Sequence, residues 1–511
     1  MLIKVSSAAY SSLDSFGVDV EINTANRGLP GFDIVGLPSQ AVDESKERVR
    51  TAIANSHLEF PQKKITVNLA PADVPKEGSF YDLPIAVGII AATLNLRIPP
   101  SSLFFGELSL DGSLRHTKGA LLLAVFAKQA GFSQVFVPKD SANEAAIVKG
   151  INVYGFENLE QVVSFLLGKL PLQPVQYKEV FQQDEEGAEF DMAEIVGQEK
   201  AKRAMEIAAS GGHNIMMVGS PGSGKTMLAR ALPGILPKLS EEESLEVTKI
   251  YSISGNIPSG GSLIKIRPFR SPHHTISQIG LTGGGTKPQP GEVTLSHRGV
   301  LFLDEFNEFP RSVLEALRQP MEDGSLTISR IKERVKYPSR FMLVASSNPC
   351  PCGYLHHQKK SCVCTPKEIK KYRKRASGPL LDRIDLHVEV PDVEVSDLAS
   401  AFAKASADKQ ESSDSIRKRV QRARETQAAR FNKEKIYTNA EMKNSHIKTL
   451  ANLTPSAEQI LLRATGAFQL SARSYFKMIK IARTIADLAG ETEIQQAHMA
   501  EALQYRAKAY E

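Results

Sequence analysis

Apolar and polar residues alternate in short bursts along the first third of the chain. VDVEIN (18–23), FDIVGL (32–37) and KITVNL (64–69) carry the period of two expected of half-buried strands. Leu83–Leu94 is almost wholly apolar and reads as a buried helix, and Ala120–Gly131 reads as a second one. GELSL (106–110) and QVFVP (134–138) add strand-like segments, so residues 1–168 are expected to form an α+β or α/β domain. Residues 169–190, with PLQPVQYKEVFQQDEEGAEF, mix proline, glutamine and acids without a period and read as a linker. Between 191 and 395, HNIMMVG (213–219), GVLFLDEF (299–306) and FMLVASSNP (341–349) are apolar runs of strand length that end in glycine, acids or polar residues. Residues 396–511 are expected to be a helical lid, with polar breaks near 405–413 and 433–455.

The first of those runs leads into GSPGSGKT (219–226), which fills G-x-x-x-x-G-K-[ST] without exception. Gly219, Gly222 and Gly224 let the backbone curl so that successive N–H groups, with Ser220, Pro221 and Ser223 between them, face an anion. The helix that follows turns its positive end toward the same point. Lys225 is placed to reach the β and γ oxygens of a nucleoside triphosphate, and Thr226 to hold Mg²⁺. Asp304 is expected to orient that ion and Glu305 to polarise the attacking water. Both can act at one site only if the strand ends there, because neighbouring side chains on a strand point to opposite faces. Asn348, after the third run, can hold the water near the γ-phosphate. The order strand, phosphate loop, helix, acidic strand, polar strand is what distinguishes this arrangement from a chance glycine-rich turn.

Two arginines are further candidates. Arg383 lies between two aspartates in SGPLLDRIDLHV and is either an internal salt bridge or a finger that reaches a neighbour's nucleotide, a role worth about 10³ to 10⁵ fold in hydrolysis. Arg473 opens the apolar helix of LSARSYFKMIKIARTIADL and is either a lid contact to phosphate or a solvated cap residue.

Length and composition change the picture little. With 511 residues the chain has room for about three domains. Its 42% hydrophobic and 23% charged residues are ordinary for a soluble protein. The start, MLIKVSSAAYSS, lacks the pattern of a secretion signal, and no stretch has the roughly 18 uncharged apolar residues of a membrane span, so a cytoplasmic protein without membrane partners is expected. A net charge of +6 is too small to prove a polyanionic partner, but basic residues are dense from Lys359 to Arg383 and from Arg417 to Arg430. All four cysteines, Cys350, Cys352, Cys362 and Cys364, fall in one short segment. Four thiolates on a loop with Gly353 at its turn suit a structural Zn²⁺, although C-x-C is tighter than the familiar C-x-x-C knuckle. A reduced, metal-free loop and a redox role are the alternatives, with His356 and His357 as spare ligands.

With its phosphate loop, VLFLDEF, SSNP, LLDRID and SARSYFKMIKIARTIADL in this order, together with RPFRSPHHTIS, PGEVTLSHRGVLFLDEF and NPCPCGY, the chain resembles the magnesium-chelatase-like AAA+ ATPases. Within them it is most similar to the ComM (YifB-like) group of bacteria. The resemblance covers nearly the whole chain. It implies a hexameric AAA+ ring with ATP and Mg²⁺ between subunits, Asn348 as sensor 1, Arg383 as arginine finger and Arg473 as sensor 2. It further implies a DNA helicase or translocase that promotes branch migration when incoming DNA is integrated during natural transformation, with recombination proteins as possible partners. A chelatase-type ATPase that remodels a protein partner is the alternative.

MEDGSLTISRIKERVKYPSR (321–340) is similar to the hairpin before sensor 1 in minichromosome maintenance helicases, with Arg330 at the hairpin lysine's position. Arg330, Lys332, Arg334 and Lys336 have strand spacing, which would put them on one face, either lining a pore against DNA phosphates or simply solvated. TGGGTKPQPGE (282–292), with Lys287, is a candidate second pore loop or a plain connection. The first domain resembles the Lon peptidase domain (ribosomal S5 domain 2-like) through PKEGSFYDLP and GELSLDGSLRHTKGALLL. Phe80 and Leu121 stand where that family has serine and lysine, while Ser79 and Lys118 are displaced, so a fold without peptidase activity is expected.

Overall fold

The computed structural model describes residues 2–25, 29–178, 188–257, 261–285, 288–329, 334–355, 357, 359–392, 410–432, 434 and 436–507. Internal contacts divide the chain into two units, Met1–Gln182 with Glu241–Ile264, and Gln183–Ser240 with Lys265–Glu511.

In the first unit a four-stranded sheet runs in the order Leu2–Ser11, Asp14–Ala25, Lys64–Ala70, Gly31–Val35, antiparallel except for the last pair. The strand Leu2–Ser11 escapes a hydrophobicity reading because Ser7, Ala8 and Ala9 are buried without being strongly apolar. Helix Asp82–Leu94 lies on the first two strands, and every residue from Asp82 to Ala91 is buried. Buried Asp82 accepts from Arg48 Nε at 2.8 Å and from the Leu108 amide at 3.2 Å, so the charge is paired as burial demands. A parallel sheet of Ser102–Phe104, Gln134–Pro138 and Asn152–Phe156 carries a stack in which the Phe136 ring lies 4.3 Å from Phe104 and 5.8 Å from Phe156. Phe80 and Leu121 are both buried in this core. Ser79 Oγ donates to Glu107, whereas the stem of Lys118 lies over Gly255, so the two displaced residues have different neighbours.

Helix Glu241–Ser254 reaches this unit from far along the chain. Leu245 packs on its core, Ser252 Oγ donates to Glu144 Oε1 at 2.6 Å, and the Gly119 amide donates to the Ser252 carbonyl at 3.3 Å.

The second unit is built on a five-stranded, all-parallel sheet in the order Phe269–Arg270, Val300–Leu303, Met342–Ser347, Ile215–Val218, Leu386–Glu389. Parallel strands covered on both faces read as continuous apolar runs, and the side chains here divide accordingly. Ile215, Met217, Val300, Phe302, Met342 and Val344 enter one core, and Met216, Leu301, Leu303, Leu343 and Ala345 the other. The Met342–Ser347 strand lies between the phosphate-loop strand and the acidic strand, so three strand ends converge on one edge.

Helices Ser413–Arg430, Pro455–Phe468, Ala472–Ala489 and Gln496–Gln504 form the helical region, which shares a core with the sheet. Buried His213 ties them together, with Nε2 2.8 Å from Thr484 Oγ1 and Nδ1 3.3 Å from Asp385 Oδ2. Within the helices, Asp487 receives Arg430 at 2.9 Å, Arg483 at 3.1 Å and Asn439 at 2.8 Å; Asp487, Arg483 and Asn439 are buried and Arg430 is partly so.

Candidate nucleotide site and the arginine pair

The phosphate-loop strand ends at Val218, and the chain turns through Gly222 (φ 83°) and Gly224 (φ 91°) into helix Lys225–Ile235. A Cβ at either of these glycines would meet nothing within 4 Å, so it is the positive φ rather than crowding that calls for glycine there. Gly219 is confined instead, since a Cβ there would lie 2.3 Å from the Val390 carbonyl oxygen. A glycine turn that leads into a helix N-terminus is the cradle a polyphosphate needs.

Lys225 is buried and folded back over the loop, donating to the Gly219 and Ser220 carbonyls at 2.8 and 2.7 Å. Burial lowers its pKa from that of a free lysine, while Asp304, Asp392 and Glu305 act the other way. The ammonium lies 3.4 Å from Asn348 Oδ1. Thr226 Oγ1 donates to Asp304 Oδ2 at 2.9 Å, and Asp304 Oδ1 accepts from Ser346 Oγ. Hydroxyl and carboxylate oxygens so placed are the hard donors that Mg²⁺ prefers, so the residues fit the ion.

The acidic strand does end before its acids, at Leu303. Glu305 takes a left-handed conformation (φ 51°), uncommon for a residue with a side chain. Its carboxylate lies 3.3 Å from His274 Nδ1. His274 comes from RSPHHT, a motif that does not itself show which of its residues will face the acid.

The two arginines come together away from the cradle's own contacts. Arg383 Nη2 pairs with Glu322, and Arg473 Nη1 donates to the same Glu322 Oε1 at 3.2 Å. The paired guanidiniums hold that carboxyl below its ordinary range, Arg383 most strongly. Lys477, one turn beyond Arg473, donates to the Ile384 carbonyl at 2.8 Å and fixes the two segments to each other. The aspartates flanking Arg383 are not its partners: Asp385 accepts from the Asn214 amide at 3.2 Å and faces His213. Arg383 and Glu322 line a cavity of about 710 Å³ together with Gln278, Arg318 and Ile328.

Residues Ser325–Ser329 and Arg334–Pro338 form an antiparallel hairpin. Arg334 and Lys336 are exposed, opposite Ser329 and Thr327, while Val335 and Tyr337 point inward. Arg330, Lys332, Lys287 and His356 lie outside the described residues.

The four cysteines cluster. Their Sγ atoms all lie within 4.8 Å of one another, and Cys350–Cys352, Cys350–Cys362 and Cys352–Cys362 are separated by 3.4, 3.7 and 3.6 Å. All are free thiols. The Cys352 amide donates to Cys364 Sγ at 3.3 Å. Backbone amides of Tyr354 and Val363 draw the Cys352 thiol down to about 6. His357 is turned elsewhere, 3.2 Å from Asp392.

A parallel sheet with an inserted strand, a phosphate loop, a Thr–Asp pair, a polar strand end and a helical C-terminal region define an AAA+ ATPase. Family models agree: "Magnesium chelatase, subunit ChlI" matches residues 191–398, "Subunit ChlI of Mg-chelatase" 20–141, and "Magnesium chelatase, subunit ChlI C-terminal" 410–506. The chain is 43% identical over 494 residues to competence protein ComM of Haemophilus influenzae, covering 96% of this chain and 94% of that one. It is 41% identical over 492 residues to the uncharacterized protein YifB of Escherichia coli, covering 96% and 94%. An uncharacterized protein of Mycobacterium tuberculosis is 40% identical over 504 residues, 98% of this chain and 97% of that one. The chain therefore belongs to the ComM/YifB family of magnesium-chelatase-like AAA+ ATPases. Among the described residues no helix is long and apolar enough to cross a membrane.

Proposed function

We propose that this chain is an ATP-driven DNA translocase, working as a hexameric ring in the cytoplasm on branched or recombining DNA. Its biological setting would be the integration of incoming DNA during natural transformation, a reading supported by the name of the competence relative. The observation that carries the DNA reading is the hairpin Ser325–Pro338, which presents Arg334 and Lys336 side by side on a solvent face between the acidic strand and the Asn348 strand. Such a face suits phosphate contacts that do not read sequence.

In this reading Lys225 leaves its loop carbonyls for the β and γ oxygens of ATP, and Thr226 and Asp304 hold Mg²⁺, which neutralises phosphate charge. Glu305 leaves His274 to orient the attacking water, with Asn348 opposite. Arg383 and Arg473, held as a pair by Glu322, reach the nucleotide of the neighbouring subunit and neutralise charge that develops in the transition state. The N-terminal unit serves assembly or DNA contact.

The test is ATP hydrolysis by the full chain with and without single-stranded and four-way-junction DNA, using Glu305→Gln as the control for contaminating activity. DNA stimulation that disappears in that control, and that weakens together with DNA affinity in Arg334→Ala/Lys336→Ala while basal hydrolysis persists, is the expected result. Basal hydrolysis that ignores every DNA would replace this reading with a ring that remodels a protein partner, the reading favoured by the chelatase name of the family models.

A further inference from the structure

The cysteine loop begins two residues after Asn348 and folds back against the phosphate loop. At its turn sits Gly353 (φ 83°), where a Cβ would lie 2.5 Å from Pro221 Cδ and 2.7 Å from Pro221 Cγ, too close for any side chain. The same Cβ would lie 3.8 Å from Asn348 Cγ. Pro221 is the middle of the phosphate loop, so the cysteine loop's backbone is the surface on which that loop rests. A second link runs through Asp392, whose carboxylate accepts from Ser220 Oγ of the phosphate loop and lies 3.2 Å from His357 Nε2 of the cysteine loop.

The sulfur positions suit a metal. A tetrahedral tetrathiolate with Zn–S of about 2.3 Å has S···S edges of roughly 3.8 Å, and three of the edges here are 3.4, 3.7 and 3.6 Å. A disulfide would need about 2.05 Å. The Cys352 amide aimed at Cys364 Sγ supplies the outer hydrogen bonding that thiolate ligands use. The loop from Cys350 to Cys364 has one proline, Pro351, and few apolar anchors, so an ion bound there would give it rigidity.

We propose that Cys350, Cys352, Cys362 and Cys364 bind one Zn²⁺ per chain, and that the ion holds Gly353 against Pro221, so that metal occupancy sets the affinity of the phosphate loop for nucleotide. The zinc site is thus a support of the ATP site rather than a remote fold element. This rests on the nucleotide-binding reading of the phosphate loop but not on the DNA reading.

The experiment uses the full chain purified without added zinc. Metal content is measured by mass spectrometry, and the affinity for a fluorescent ATP analogue is measured before metal release by an organomercurial, after release, and after thiol and Zn²⁺ are restored. About one zinc per chain, a loss of nucleotide affinity of about 10-fold or more on release, and recovery on reloading are expected. Gly353→Ala should weaken nucleotide binding with zinc retained, a readout independent of whether cysteine variants fold. Folded protein without zinc, or metal-free protein and Gly353→Ala that both bind nucleotide as tightly as the original, would overturn the proposal. A zinc-loaded chain that binds no nucleotide would instead overturn the ATP-site reading.

Discussion

If Arg383 works across a subunit boundary, its loss can be repaired by a subunit that is defective in a different residue. Within its own subunit Arg383 contacts Glu322 and the Pro379 carbonyl, and the Glu322 side chain is 44% exposed. The Arg383 side chain is only 8% exposed, but its removal leaves a Glu322 that reaches solvent and keeps Arg473, so the ion pair is worth about 1 kcal/mol, about fivefold in any equilibrium it controls. A finger on a neighbour's γ-phosphate is worth about 10³ to 10⁵ fold in hydrolysis. The two roles are thus separated by at least two orders of magnitude. Arg383→Ala alone should abolish ATP turnover, as should Glu305→Gln alone. When the two variants are mixed in equal amounts and allowed to exchange, roughly one interface in four of a closed head-to-tail ring joins an intact Glu305 to an intact Arg383. Steady-state hydrolysis should recover to about a quarter of the wild-type rate by that count. Because Glu322 holds both arginines, Arg473→Ala should be rescued by Glu305→Gln in the same way. Mixed rings, verified by native mass spectrometry, that stay as inactive as their parents would refute action in trans. Turnover by Arg383→Ala within about fivefold of wild type would reduce the residue to its ion pair.

Two further outcomes concern stability. Asp487→Ala removes the carboxylate that Arg430, Arg483 and Asn439 share and leaves two sheltered guanidiniums without a counter-charge, so unfolding by urea should show a loss of about 3–5 kcal/mol; a loss under about 1 kcal/mol would mean that the cluster contributes little. Burial pulls the His387 pKa from 6.5 down to about 4. The folded state therefore takes up its proton later than the unfolded state, and this stability is intact above about pH 6.5 and lost as pH falls toward 4, by up to about 3 kcal/mol. His387→Asn should flatten the acid limb of a stability curve measured between these values, and an unchanged limb would contradict the assignment.

The sequence spoke most clearly where chemistry is local. Eight consecutive residues, Gly219 to Thr226, define the phosphate loop because glycine conformations and one lysine suffice to build it. The ends of the apolar runs pointed to Asp304, Glu305 and Asn348, since parallel strands deliver their C-terminal residues to one edge. Glu322 was not legible, because its partner Arg473 is 151 residues away and an acid in a helix turn carries no mark of what it will face. His274 was hidden similarly in a histidine pair whose neighbour is set by tertiary folding alone. The cysteine spacing announced a cluster, but its contact with Pro221 depends on a glycine turn whose target no pattern specifies. Helix Glu241–Ser254 was missed for another reason: apolar periodicity states that a helix buries one face, not which body covers it.

That helix has a consequence for how the protein is made. The first segment of the first unit has been synthesised by residue 182, yet Glu241–Ile264 is still to come. At about 5–20 residues per second, the nascent unit waits on the order of 4–16 s for its missing piece. Through that interval Glu144 lacks the Ser252 hydroxyl, and the Gly119 amide lacks its carbonyl. Meanwhile the phosphate loop, Gly219 to Thr226, has already been synthesised. The first unit is therefore completed only after a segment of the second has been made, and a gene cut at the linker would yield an ATPase fragment carrying a helix that belongs to the part removed.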